Sequence, residues 1–321
     1  MKRSLVILLA FVLLAAAGGY YLLWAGPGPK PGPHTVIVEQ GSGLAKVAAQ
    51  LEKAGAIPGT AASWRAMAKA FGSADGIQAG EFEIPAGMGG ERILDLLQHG
   101  RPLQRLVTVT EGMPAILVQE RVAAVPLLEG AAPLPPEGSV LPDSYGYKRG
   151  ENRAALIARM QGAMTKTLAD LWAKRSPTTV VTSPEQAIIL ASIVEKETGK
   201  SAERRLVAGV YSNRLRIGMK LDADPTVIYP ITKGKPLGRR ILRSELDADT
   251  GYNTYRKPGL PAGPIANPGR ASIAAVLDPA PTKALYFVAD GTGGHVFADT
   301  LAEHNANVAK WFALRRARGQ M

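Results

Sequence analysis

No cysteine occurs anywhere in the chain. That absence excludes disulfide staples, thiol nucleophiles and cysteine-ligated metals together. It is silent on compartment, because an oxidising space does not oblige a protein to carry disulfides. Histidine is nearly as scarce, at four residues in 321. His295 and His304 stand apart and without companion ligands, so the sequence calls for no metal and no cofactor. Internal repeats are also lacking, which sets aside solenoid and propeller architectures. Acidic side chains are outnumbered, 27 against 38 basic ones, for a net charge of +11. Such an excess suits an anionic partner or surface, whether nucleic acid, lipid head groups or a cell-wall polymer. A basic cluster such as Arg315, Arg316 and Arg318 reads equally well as a solvated face.

What is present begins with Lys2 and Arg3 ahead of an uncharged stretch at residues 4–25. About twenty such residues cross a bilayer as a helix. A cleaved signal peptide is the competing reading, since "AAAGG" at residues 15–19 offers small residues to a peptidase. However, the apolar character resumes as "YYLLWA", with Tyr20, Tyr21 and Trp24 where an aromatic belt would sit. We therefore read residues 1–26 as a single membrane anchor. The positive-inside rule keeps its basic end in the cytoplasm and the bulk of the chain outside the inner face. That topology argues against nucleic acid as the partner. Residues 27–34, "PGPKPGPH", read as a Pro/Gly linker holding the folded part off the membrane.

The remainder, with 46% hydrophobic residues overall, is long enough for about two domains. Residues 35–104 alternate strand-like and helix-like stretches, including "AGEFEIPAG" at period two and "ERILDLLQ" at helical spacing. They predict a small α+β module. Residues 105–321 form a second unit, opening on a strand with Leu106, Val107 and Val109. Its Pro-rich stretch at 123–138 carries no evident chemistry. A helix is expected over 152–173, with Met160 and Met164 filling core.

"SPEQAIILASIVEKETG", residues 183–199, carries the clearest helix signature. Ser183 is the N-cap, Pro184 the first helical residue, Gln186 completes a capping box and Gly199 stops the helix. Glu197 continues the stripe of Val194, Ile193, Leu190 and Ile189. Glu195 lies about 200° away beside Ser192, Ala191, Ile188 and Ala187, a smaller face expected to be nearer solvent. A carboxyl against apolar walls is held toward its neutral form, as an acid catalyst of C–O cleavage requires. Glu197 is therefore the candidate general acid and Glu195 a supporting residue. The bland alternative is a buried carboxylate satisfied by Arg204 or Arg214.

Downstream, "IGMKLDADPTVIY" brings Asp222, Asp224, Thr226 and Tyr229 around a proline in what reads as a rigid loop. "GYNTYRKPGLPAGPIANPG" adds Tyr252, Asn253, Thr254 and Tyr255. Tyrosine and asparagine together suit sugars, whose C–H faces stack on rings while their hydroxyls take hydrogen bonds. "YFVADGTGGHVFADTLAEHN" supplies His295, His304 and Asn305. With "ASIVEKET" and "NRLRIGMKLDADPTVIY", these segments closely resemble the endolytic murein transglycosylase (YceG-like) family. "VTEGM", "LPDSYGY" and "AGEFEIPAG" follow the same order, and the resemblance runs from the anchor to about Asn307.

The resemblance implies an α+β protein with one N-terminal transmembrane helix, a LysM-like module and a catalytic domain. It implies cleavage between MurNAc and GlcNAc inside nascent glycan strands, outside the inner membrane, with the second glutamate of "EKE", Glu197, as the catalytic one. Tyr252 or Tyr255 would stabilise the transition state. Glu195, Asn213, Asp222, Asp224, Thr226, Tyr229, Asn253, Thr254, His295 and Asn305 are the candidate glycan contacts. The implied partners are peptidoglycan strands and peptidoglycan synthases, the penicillin-binding proteins. The module departs from some members of that family in being rich in Ala, Gly and Pro, with no evident stacking aromatic beyond Trp64 and Phe82. Two other functions fit the same residues: a muramidase-type hydrolase with Asp222 or Asp224 positioning water, and a non-catalytic wall-binding scaffold.

Overall fold

A computed structural model describes residues 2–319. Among them are twelve α-helices and three two-stranded antiparallel sheets, and the chain divides into two compact units at Gln104 and Arg105. The fold is mixed α and β, with one apolar helix at the N-terminus. The span Arg3–Ala25 is long and apolar enough to cross a membrane, at a mean hydropathy of 2.3.

The first unit starts with that helix, α1 (Lys2–Tyr20), which widens into a π-helical turn at Tyr21–Ala25. There follow β1 (His34–Val38), α2 (Leu44–Lys53), α3 (Ala61–Phe71), β2 (Gly80–Ile84) and α4 (Gly90–His99). β1 and β2 pair antiparallel with Val36 opposite Phe82. The period of two turns Val36, Val38, Phe82 and Ile84 inward, onto Val47, Leu51, Trp64, Ile93 and Leu97 of the helices. α3 is set by Thr60 and Ser63, which exchange the reciprocal bonds of a capping box. A cavity of about 500 Å³ lies beside its C-terminal end, lined by residues that include Ser42, Lys69, Gly72, Asp75, Ile77 and Gln98.

Two features of this unit differ from the sequence reading. Trp24 is only 1% exposed and packs against Trp64 at 6.1 Å, inside the core instead of in a lipid-facing belt. The contact with Trp64 holds the ring there, although its buried Nε1 has no hydrogen-bond partner among the described residues. Nor are residues 27–34 a free spacer throughout: Gly28 N donates to Gly87 O at 3.1 Å and Gly87 N to Pro29 O at 2.7 Å. Trp64 and Phe82 are themselves core residues, at 0% and 1% exposure, so neither offers a face to a sugar.

In the second unit, β3 (Arg105–Thr108) pairs with β4 (Ser144–Tyr147). α5 (Ala115–Ala123) and α6 (Arg153–Ala173) share a core with them that buries Met160. α7 (Pro184–Glu197) is the central helix, contacted by α6, α8 (Arg204–Arg216), α9 (Asp224–Thr232) and α11 (Arg270–Leu277). α10 (Arg243–Asp247) is a short helix between α9 and α11. A hairpin of β5 (Tyr286–Ala289) and β6 (His295–Ala298) packs on α12 (Leu301–Ala317).

Ser183 caps α7 by accepting from Gln186 N at 3.3 Å. The Gln186 side chain reaches one residue further back than a capping box requires, accepting from Thr182 N. The helix ends at Glu197, with Thr198 extended, so Gly199 is not its stop signal. "DPTVIY" is the helix α9 and not a loop, because Pro225 sits in the first turn, where a missing N–H costs nothing.

Candidate active site

Because α7 is packed on most sides, Ala187, Ile188, Leu190, Ala191, Ile193 and Val194 are all buried, and the two stripes of the sequence reading do not separate core from solvent. Glu195 is accordingly not near solvent: its side chain is 5% exposed. It accepts from Gly269 N at 2.8 Å, at the N-cap of α11, and lies 3.4 Å from Arg204. Arg204 is shared with Glu111 at 3.3 Å. Glu195 thus ties α7 to α8 and α11. Glu195→Gln should keep an acceptor for Gly269 N and lose the charge, lowering stability by about 1–2 kcal/mol. A denaturant midpoint unchanged from wild type would show that the charge pairing with Arg204 carries no weight.

Glu197, at the last turn of α7, is enclosed more than it is exposed. Burial pushes its carboxyl up to about 7, the Asp224 carboxylate adds to the rise, and a hydrogen bond from Tyr211 together with the Arg214 guanidinium opposes it. Tyr211 is 1% exposed and on α8, and its hydroxyl is held well above the ordinary tyrosine range by burial and by Glu197. Arg214 lies one turn along the same helix. It is 8% exposed, with Nε donating to Leu285 O at 2.7 Å and Nη1 to Leu221 O at 2.7 Å. Asp222 stands 3.9 Å from Arg214. Asp222 has φ of 49°, a left-handed conformation that few non-glycine residues adopt. The guanidinium therefore grips the turn that leads into α9.

Asp224, exposed at the start of α9, accepts from Tyr255 OH at 2.6 Å. Burial and Asp224 raise the Tyr255 hydroxyl far above its ordinary value, so it stays a donor at any working pH. Glu197, Tyr211, Arg214, Asp222, Asp224 and Tyr255 form one electrostatically coupled group.

Other candidates lie elsewhere or are spent on the fold. Thr226 and Thr254, at 0% and 2% exposure, bond each other through their hydroxyls at 2.9 Å. Asn253 Nδ2 donates to carbonyls of Glu245, Leu246 and Ala248, and its Oδ1 accepts from Tyr255 N. Asn213 Nδ2 donates to Thr282 O and Ala284 O. These four spend most of their side-chain hydrogen-bonding capacity within the protein. His295 pairs with Glu203 at 2.8 Å, and Asn305 is exposed on α12. Tyr252 packs on Tyr229, with ring centroids 4.9 Å apart and the rings tilted by 45°.

Tyr229 in turn donates to Glu137, whose carboxyl burial pushes up to about 7. Glu137 Oε1 also accepts from Ala115 N at 2.9 Å. This residue lies in the Pro-rich stretch that reads as chemically empty, and a glutamate inside "LPPEG" gives no signal of its partners. Tyr211 and Arg214 were legible in principle, since a spacing of three places them on one face of α8.

The chain matches the model of the YceG-like family over residues 36–310. A protein of Bacillus subtilis named endolytic murein transglycosylase is 35% identical over 56% of this chain and 49% of its own length. One of the same name from Streptococcus pneumoniae is 28% identical over 96% of this chain and 65% of its own length. The chain therefore spans between about half and two thirds of those relatives. The crystal structure of a yceG-like protein from Listeria monocytogenes is 26% identical, with a TM-score of 0.54 over 85% of this chain and 98% of that one. With the family model covering most of its length, the chain belongs to the YceG-like family.

Proposed function

We propose that this protein is an endolytic murein transglycosylase. The observation that carries the reading is Glu197, a carboxyl poised to hold a proton at neutral pH and oriented by a buried tyrosine. Family membership and the names of the relatives support it.

Glu197, protonated, donates to the glycosidic oxygen between MurNAc and GlcNAc, and the bond from that oxygen to C1 breaks. Positive charge grows on C1, beside a group whose carboxylates, Asp222 and Asp224, favour it. Glu197, now a carboxylate, takes the proton of the MurNAc C6 hydroxyl as that oxygen bonds to C1, closing a 1,6-anhydro ring. The nucleophile belongs to the substrate, so its effective concentration is high and no second carboxylate has to activate water. Tyr255 and Asp224 orient the sugar at the cleavage point.

In this reading residues 1–26 anchor the chain in the cytoplasmic membrane with the N-terminus inside, and the β1-α2-α3-β2 module is LysM-like. The cavity beside α3 is then its glycan-facing pocket, offering Ser42 and Asp75 as polar contacts in place of stacking rings. Cleavage would end the elongation of new strands, which makes peptidoglycan synthases the expected partners.

The test is mass spectrometry of fragments released from purified peptidoglycan by the full-length protein. Internal fragments with 1,6-anhydroMurNAc ends are expected. Reducing ends would make it a muramidase-type hydrolase, and release of nothing would leave the wall-binding scaffold. The rate should also fall about tenfold per pH unit above pH 7, where Glu197 loses its proton before cleavage. A profile flat to pH 9 would remove Glu197 as the acid.

A further inference from the structure

The end of the apolar helix is built into the first unit. Trp24 lies in its core against Trp64, and Leu23 reaches Gly59, where an added Cβ would come within 2.9 Å of it. A Cβ on Gly89 would meet Gly26 O at 2.3 Å, so glycine is needed for the two backbones to approach. With Gly28 and Pro29 bonded to Gly87, nothing between anchor and module is left to swivel.

That junction fixes the direction of α3. Its Trp64 sits beside Trp24, and seven residues on Phe71 meets Tyr20 edge to face at 5.0 Å. Tyr20 precedes Trp24 by four residues, about 6 Å further back along the helix axis. α3 therefore runs back along the anchor. About twenty residues counted from Ser4 put the outer hydrocarbon boundary near Leu23, so Phe71, level with Tyr20, falls at or inside it. Phe71 is 58% exposed, next to a helix end where Tyr21 and Leu22 are 58% and 67% exposed. Lys69 and Arg65 are exposed on the same helix, where long basic side chains can reach lipid phosphates while their stems stay in the apolar layer.

We propose that the C-terminal end of α3, led by Phe71 and flanked by Lys69 and Arg65, is a second membrane contact that inserts into the outer interface of the bilayer. The occupant of this face is lipid, because the apolar surface is continuous with that of the anchor. The inference rests on residues 3–25 spanning the membrane. Its consequence is a fixed posture: the module cannot rotate about the anchor, and the cavity lined by Lys69 and Gly72 opens at head-group level.

The cysteine-free chain makes the test direct. Full-length protein carrying Phe71→Cys, Ala70→Cys or Leu13→Cys is spin-labelled and reconstituted in phosphatidylethanolamine–phosphatidylglycerol vesicles. Collisions of each label with oxygen, which partitions into lipid, are compared with those of a water-soluble nickel chelate, calibrated by lipids labelled along the acyl chain. The labels at positions 70 and 71 should favour oxygen over nickel several-fold and report a depth at the head-group boundary. The Leu13 label should report the bilayer centre. If Leu13 is deep and both α3 labels collide with nickel as freely as label in solution, the contact is overturned while the anchor stands. If the Leu13 label is itself aqueous, the span and the contact fall together. Because Ala70→Cys keeps Phe71 in place, an aqueous result there cannot be ascribed to loss of the aromatic.

Discussion

Glu197→Gln is expected to lower the rate of glycan cleavage by about 10²–10⁴-fold, the usual worth of a general acid, and to make the protein more stable at neutral and alkaline pH. The second half follows from the same burial that makes the first possible. In the unfolded chain the carboxyl ionises near 4.5, whereas in the fold it keeps its proton to about 7. Between those values the unfolded state binds fewer protons than the folded one, so stability declines as pH rises. At about 1.4 kcal/mol per unit, the loss is on the order of 3 kcal/mol by pH 7 and stays constant above it. Glutamine has no proton to lose, and its amide oxygen can still accept from Tyr211. The variant should thus unfold at higher denaturant than wild type at pH 8, with the difference shrinking to nothing below pH 4.5. Equal midpoints at pH 8 would mean that the fold does not hold Glu197 neutral, and retained cleavage would mean that another group supplies the proton.

The residue pattern carried the outline of this site further than its detail. Ser183, Pro184 and the apolar run after them specify α7 locally, and the alternation in "EFEI" specifies β2, because capping and pleating act within a few residues. Glu197 stands out in the sequence by its stripe of Ile189, Leu190, Ile193 and Val194, but α7 is buried on both faces, so the stripe alone does not tell Glu197 from Glu195. The environment of Glu195 was not legible, because the partner that buries it, Gly269, is 74 residues away in sequence. Thr226 on α9 and Asn253 and Thr254 in the loop after α10 are hydrogen-bonding residues in polar segments, a composition shared by a binding surface and by a segment that satisfies itself. Only the fold distinguishes the two, by spending their donors on backbone carbonyls and on each other. Glu137 was hidden for the same reason, as its meaning comes from Tyr229 and Ala115 N.

Arg214 allows charge and scaffolding to be separated at this site. Its guanidinium donates to carbonyls from two segments, Leu221 ahead of α9 and Leu285 at the hairpin, and lies over the ring of Tyr286 at 5.5 Å. Arg214→Met removes both donors and leaves buried carbonyls unpaired at about 1–3 kcal/mol each, so a stability loss of several kcal/mol is expected. The turn with Asp222 at φ 49° then has less to hold its conformation, and Asp224 and Tyr255 shift with it. A displacement of about 1 Å in a positioning group can cost 10²-fold in rate. The charge makes a separate contribution. Arg214 favours the ionised form of Glu197, so in the methionine variant the alkaline limb of the rate profile should move to higher pH even as the rate drops. Arg214→Lys keeps the charge but not the planar fork that spans the two segments. It should lose rate and stability like the methionine variant while its alkaline limb stays near that of wild type. A limb that does not move in the methionine variant would show that Glu197 does not feel this charge, and Arg214 would then act on the site through the loop alone.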